Sequence, residues 1–145
     1  MAVARVLRPT NNFSKIPVAA RNRIIFWTRK YAREIQRHIQ GEMRKPKHGR
    51  IYKINGRLHQ ASAPGEYPAI LSGALYKDLN PRYTSGGMRA SIAPRVTSKT
   101  GAPYPDFLER GTRKMEPRPF MKPGFDRYRE IYKSKIRQIF SELTT

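Results

Sequence analysis

Two long amphipathic segments, one near each end of the chain, constrain the fold more than anything else in the sequence. From Pro17 onward, Ile24, Trp27, Tyr31, Ile35 and Ile39 recur at steps of three and four. This places one apolar stripe on a helix whose other faces carry Arg21, Arg29, Lys30, Arg33 and Arg37, and which is expected to end between Gly41 and Lys45. Toward the C-terminus, Phe125, Tyr128, Tyr132, Ile136, Ile139, Phe140 and Leu143 form a second apolar face, with Asp126 near the positive helix start and Lys133, Lys135 and Arg137 further along. Each helix has a single stripe to bury, so each needs a partner layer from the residues between them.

That middle stretch reads as strands. Pro46 to Gly49 breaks the first helix, and Arg50 to Ile54 and Arg57 to Ala61 flank Asn55-Gly56, a dipeptide that tolerates positive φ in a tight hairpin turn. Ser72 is a plausible N-cap for a short helix through Leu75 and Leu79, ended by Pro81. Tyr83 to Thr84 and Met88 to Val96 look extended on either side of Ser85-Gly-Gly87, with Pro94 marking an edge or a strand end. The expected fold is therefore α+β: a small antiparallel sheet of about four strands packed by a long N-terminal and a long C-terminal helix. Residues 1–16, with little periodicity, are expected as an irregular arm, and residues 17–145 as one domain. Before the last helix, Pro105 can open a short helix and Gly111 can close it in the left-handed conformation. Pro117 and Pro119 then stiffen a connector around Arg118.

Charge narrows the function. The chain has 30 Lys and Arg against 10 Asp and Glu, a formal net charge of +20, which points to a polyanionic or acidic partner. The imbalance is concentrated in front: residues 1–60 hold 15 basic side chains and two acids. With no cysteine, disulfides and thiolate metal sites are excluded. The longest uncharged apolar run, around Ile24 to Thr28, is far shorter than the ~20 residues a membrane span needs. No signal-peptide pattern opens the chain, so assembly in the cytoplasm is expected.

No catalytic grouping stands out. His38, His48 and His59 have no carboxylate or nucleophile at a cooperative spacing; His59 with Glu66 is the nearest approach, and an exposed hairpin histidine is the commoner situation. No enzyme activity, cofactor or metal is expected. The basic cluster Arg44, Lys45, Lys47, Arg50, Lys53 and Arg57 can gather phosphate or an acidic protein surface from a helix end, a loop and a hairpin, or it can be a plain solvated face. Tyr52 can stack on a base, although a strand aromatic is more often core. In the connector, Met115 and Phe120 are expected to cover the sheet edge while Arg118 pairs with Glu109. Residues 61–68 are either a long hairpin exit or a docking loop.

Four segments in order, His59 to Ala69, Ser72 to Leu75, Met88 to Ile92 and Tyr104 to Phe120, together resemble the tail-completion, or head-tail joining, proteins of long-tailed double-stranded DNA bacteriophages. The resemblance runs from about Gly49 to the C-terminus; before that only a leading helix is shared, and Tyr67 stands where the family has a smaller residue or proline. The best-matched positions are Glu109, Gly111, Thr112, Met115, Arg118, Pro119 and Phe120. The resemblance implies a neck protein forming a six-fold ring, with those residues and Pro64, Gly65 and Glu66 at subunit or neck contacts. Its implied partners are head-completion, stopper or adaptor rings, the tail terminator or tube, and non-specifically the genomic duplex, all within the virion neck. Two alternatives stay open: a terminator that caps the tail tube, and a stand-alone basic nucleic-acid-binding protein.

Overall fold

The computed structural model describes residues 5–7, 15–98, 101 and 104–144. Among them the two expected helices dominate: α1 spans Val18–Arg44 and α4 spans Met121–Leu143. Pro17 starts α1, its carbonyl accepting from the Arg21 amide at 2.9 Å, and the extended Lys45 ends it because Pro46 follows. The helices run antiparallel, since Gly124 lies against Ile39, Tyr132 against Thr28 and Arg23 against Glu142. Gly124 lets them approach: a Cβ there would sit 2.6 Å from Ile39 Cγ1. The stripes interlock through Ile24, Ile35, Ile39, Tyr132, Ile136 and Ile139, all buried, and a Thr28–Tyr132 hydroxyl pair at 3.0 Å sits inside that apolar seam.

Five short strands form two separate antiparallel sheets, and neither reaches the expected four strands. One has the order β1 (Arg5–Leu7), β5 (Arg89–Ile92), β4 (Arg82–Thr84), with Arg5 opposite Ile92 and Arg82 opposite Ser91. It packs on α1 through the buried Ala90 and Ile92, and through the tight Ser85–Gly87 turn, where Gly87 has φ +96 and faces Ile25. The other sheet is the β2 (Ile51–Ile54) and β3 (Arg57–Gln60) hairpin, joined by Asn55 (φ 50) and Gly56 (φ 79), the two positive φ values its turn requires. Of the stretch expected as an irregular arm, residues 1–4 and 8–14 lie outside the described residues, and Arg5–Leu7 form a strand. Arg5–Leu7 gives β5 a second neighbour and satisfies an otherwise open sheet edge.

Two short helices complete the chain. Helix α2 (Ala74–Lys77) is shorter than expected and has Gly73 at its N-cap; Ser72 stands one residue before the cap, its hydroxyl accepting from the Ala74 amide. Helix α3 (Tyr104–Arg110) ends at Gly111, whose φ is +75. A Cβ on Gly111 would lie 2.7 Å from the Met115 carbonyl oxygen, so glycine is needed for both the turn and the close return of the connector.

Candidate functional site

The region singled out in the sequence forms one platform built from α3, the connector and the loop after β3. Helix α4 begins at Phe120, which has no side-chain acceptor with which to cap it. A helix start leaves four amides without intrahelical partners. Glu109, near the end of α3, takes three of them: Oε2 accepts from Phe120 and Met121 at 2.9 Å, and Oε1 from Lys122 at 2.8 Å. The fourth position is Pro123, which has no amide hydrogen. One carboxylate thus closes the whole N-terminus of α4, where its charge also suits the helix dipole.

The expected pairing of Arg118 with Glu109 is replaced by main-chain contacts. Arg118 Nε donates to the Ser62 carbonyl at 2.9 Å and Nη1 to the Glu116 carbonyl at 3.1 Å, while its own amide donates to Leu108. The Gly65 amide donates to the Pro117 carbonyl at 3.1 Å, and Thr112 and Met115 bridge across a small turn. The 61–68 loop is therefore latched to the connector of its own chain. Phe120 is wholly buried and belongs to the core rather than to a surface; Met115, Arg118 and Pro119 are half-buried, and Pro64, Gly65 and Thr112 are exposed.

Glu66 anchors the other end of the loop. It accepts from the Ala63 and His48 amides at 2.7 and 3.1 Å, and its Oε1 is 2.5 Å from His48 Nδ1. These bonds, the Ala63 amide foremost, hold its carboxyl down at about 2. The partner of Glu66 is thus His48 and not His59, which lies opposite Tyr52 in the hairpin. Tyr67, the departure from the family pattern, packs edge-on to His38 with its hydroxyl 3.3 Å from Nε2, fixing the loop to α1. Burial pushes the Tyr67 hydroxyl up to about 12, and burial followed by Arg127 lowers His38.

Beyond this platform stands the β2–β3 hairpin, whose apolar side chains, Tyr52 apart, sequence reasoning did not single out as a site. Ile51, Tyr52, Ile54 and Leu58 are 58%, 45%, 37% and 78% exposed. The register explains why. Ile51 and Leu58 share a face with Lys53 and Gln60, while Tyr52 and Ile54 share the other with Arg57 and His59. Neither face is apolar enough to lie on a core, and that mixture was the signal available in the sequence. The hairpin base is pinned by the Gly49 and Ala61 amides, which donate to Ala61 and Arg50 carbonyls at 2.9 and 3.0 Å.

The basic cluster does not form a single patch. Lys45 pairs with Glu42 at 2.5 Å, Lys47 Nζ donates to the Glu42 carbonyl at 2.8 Å, Arg44 lies over Tyr76, and Arg50 over Tyr52. Lys53 and Arg57 point to opposite faces of the hairpin. No group of three His, Cys, Asp or Glu that could hold a metal occurs among the described residues. Compared with protein families, curated proteins and solved structures, the chain matches none.

Proposed function

We propose that this chain is a virion structural protein of the neck of a long-tailed double-stranded DNA phage, completing the head-proximal end of the tail and joining it to the filled head as a six-fold ring. The observation that carries this reading is the exposed hairpin: two isoleucines, a leucine and a tyrosine in solvent, with Arg50, Lys53 and Arg57 among them and no acid from residue 50 to 60. Apolar side chains exposed on both faces of a projecting hairpin, with cations interspersed, mark a protein contact. Its partner is acidic and is not another copy of this chain, because nine of the ten acids are engaged within the chain. Glu34, Glu42, Asp78, Asp126, Glu130 and Glu142 sit in ion pairs, Glu66 is held by His48 and the Ala63 amide, Glu109 caps α4, and Asp106 is buried.

On this reading the hairpin meets an adjoining neck or tail ring, while the latched platform of residues 61–68 and 104–120 gives each subunit a stiff flank for its neighbour. The chemistry is recognition without turnover, carried out in the virion after assembly in the host cytoplasm. A stand-alone nucleic-acid-binding protein has no use for an apolar hairpin, which favours the joining role over that alternative. Electron microscopy of particles made with the gene disrupted tests the proposal. Full-length tails and DNA-filled heads accumulating apart are expected; normally joined virions overturn it, and tails of uncontrolled length assign the chain to tube termination instead.

A further inference from the structure

We propose that the solvent face of α1, formed by Phe26, Lys30, Arg33, Arg37 and Arg44 and flanked by Arg29, binds the phosphate backbone of duplex DNA. At 100° per residue these side chains lie on the side of the helix opposite the buried Ile24, Thr28, Ile35 and Ile39. They form a straight row of about 27 Å, roughly eight base-pair steps of duplex. An open groove of about 650 Å³ follows this face from Asn22 to Arg37.

What distinguishes the row is how its charges are held. A carboxylate partner positions a cation and cancels it; an aromatic face positions it and leaves the charge in place. Arg29 lies over Tyr83 at 5.3 Å, Lys30 over Trp27 at 4.9 Å and Arg44 over Tyr76 at 5.0 Å. Lys135 of α4 lies against the same Trp27 ring at 4.8 Å, adding a fourth such charge beside the row. Only Arg37 has a carboxylate nearby, Glu34 at 3.8 Å and partly exposed, and Arg33 has none among the described residues. The face is thus oriented, strongly positive and rich in guanidinium, which matches phosphate oxygens two at a time.

The occupant follows from the same chemistry. Protein interfaces are depleted in charge at their centres, whereas DNA interfaces are polar and strongly positive. Apart from Phe26 and the half-buried Ile25, this face offers only polar and charged groups, the reverse of the hairpin. Binding through it is sequence-independent, since a row of cations reaches phosphates and no base edges. The inference goes beyond the joining role and stands or falls separately, because its test needs only the purified chain.

The test is fluorescence anisotropy of the full chain with a random-sequence duplex across a salt series. Each phosphate contact contributes about 0.9 to the slope of log affinity against log salt, so K30Q/R33Q/R37Q is expected to lower the slope by about 2.7 and the affinity at 0.1 M salt several-hundred-fold. The charge-keeping K30R/R33K/R37K keeps the slope, and R50Q/K53Q/R57Q, which removes equal charge from the hairpin, leaves it nearly unchanged. Circular dichroism confirms folding, and R33Q alone, losing about 0.9, repeats the test should the triple variant unfold. An unchanged slope in the α1 variant, an equal loss in the hairpin variant, or binding of polyglutamate but not duplex overturns the proposal.

Discussion

Removing the Glu109 side chain should loosen the junction between α3 and α4 more than removing any other exposed or half-exposed acid. In Glu109→Ala, the Phe120 and Met121 amides lose their acceptor at residues that are 0% exposed, so water cannot readily replace it. A buried donor left without a partner costs about 1–3 kcal/mol. The Lys122 amide, at an exposed residue, rehydrates and adds little. The sum over the two buried amides is about 2–6 kcal/mol, which for a chain of this size lowers the melting temperature by about 7–20 °C. Glu109→Gln keeps one carbonyl oxygen as acceptor and should recover part of the loss, without the charge that favours a helix start. Glu116→Ala, at an exposed acid seven residues further along the chain, is the control and should change stability by less than about 0.5 kcal/mol. Thermal unfolding followed at the helical circular-dichroism band measures all three. A Glu109→Ala protein that melts with the Glu116→Ala control would show that α4 does not depend on this cap.

Two further outcomes follow from buried and anchoring polar groups. Thr28→Val or Tyr132→Phe alone should each destabilise by about 1–3 kcal/mol, while the double variant should be less costly than the two together, because it leaves no orphaned hydroxyl in the α1–α4 seam; simple additivity in urea unfolding would contradict this. Glu66 has its folded carboxyl lowered from 4.5 to about 2, so its contribution is fully present above about pH 4.5 and is lost as pH falls through 2. The stability advantage of the native chain over Glu66→Gln should therefore shrink across that window, and a carboxyl resonance titrating near 4.5 would refute the anchoring role.

The parts of the fold legible in the sequence were those written in local patterns. The stripes of α1 and α4 repeat over many turns, Asn55-Gly56 demands its hairpin, and Gly111 demands its left-handed turn. Contacts that join distant residues left no such trace. Glu109 finds the start of α4 only after Gly111 reverses the chain, and Glu66 selects His48 over His59 because the loop folds back toward the end of α1. The pairing of Arg5–Leu7 with β5 rests on three residues, too few for an alternation to show. The hairpin was read correctly as a hairpin and wrongly joined to the sheet. Its turn signal is local, whereas its separation from the core lies in the cross-strand partners that mix Leu58 with Lys53 and Ile54 with Arg57. The cluster from Arg44 to Arg57 looked like one patch because its residues are near in sequence, yet the charges that line up in space are spaced along α1 by helical turns.

The measurement that bears most directly on the assembly account is complementation of a gene-disrupted phage with I51S/Y52S/L58S. These side chains are exposed and make no core, so the variant should keep the native melting temperature. The account predicts a folded protein that fails to restore joined virions, leaving tails and filled heads apart. Joined virions at the native yield would contradict it, because the hairpin would then not be the surface through which the chain assembles.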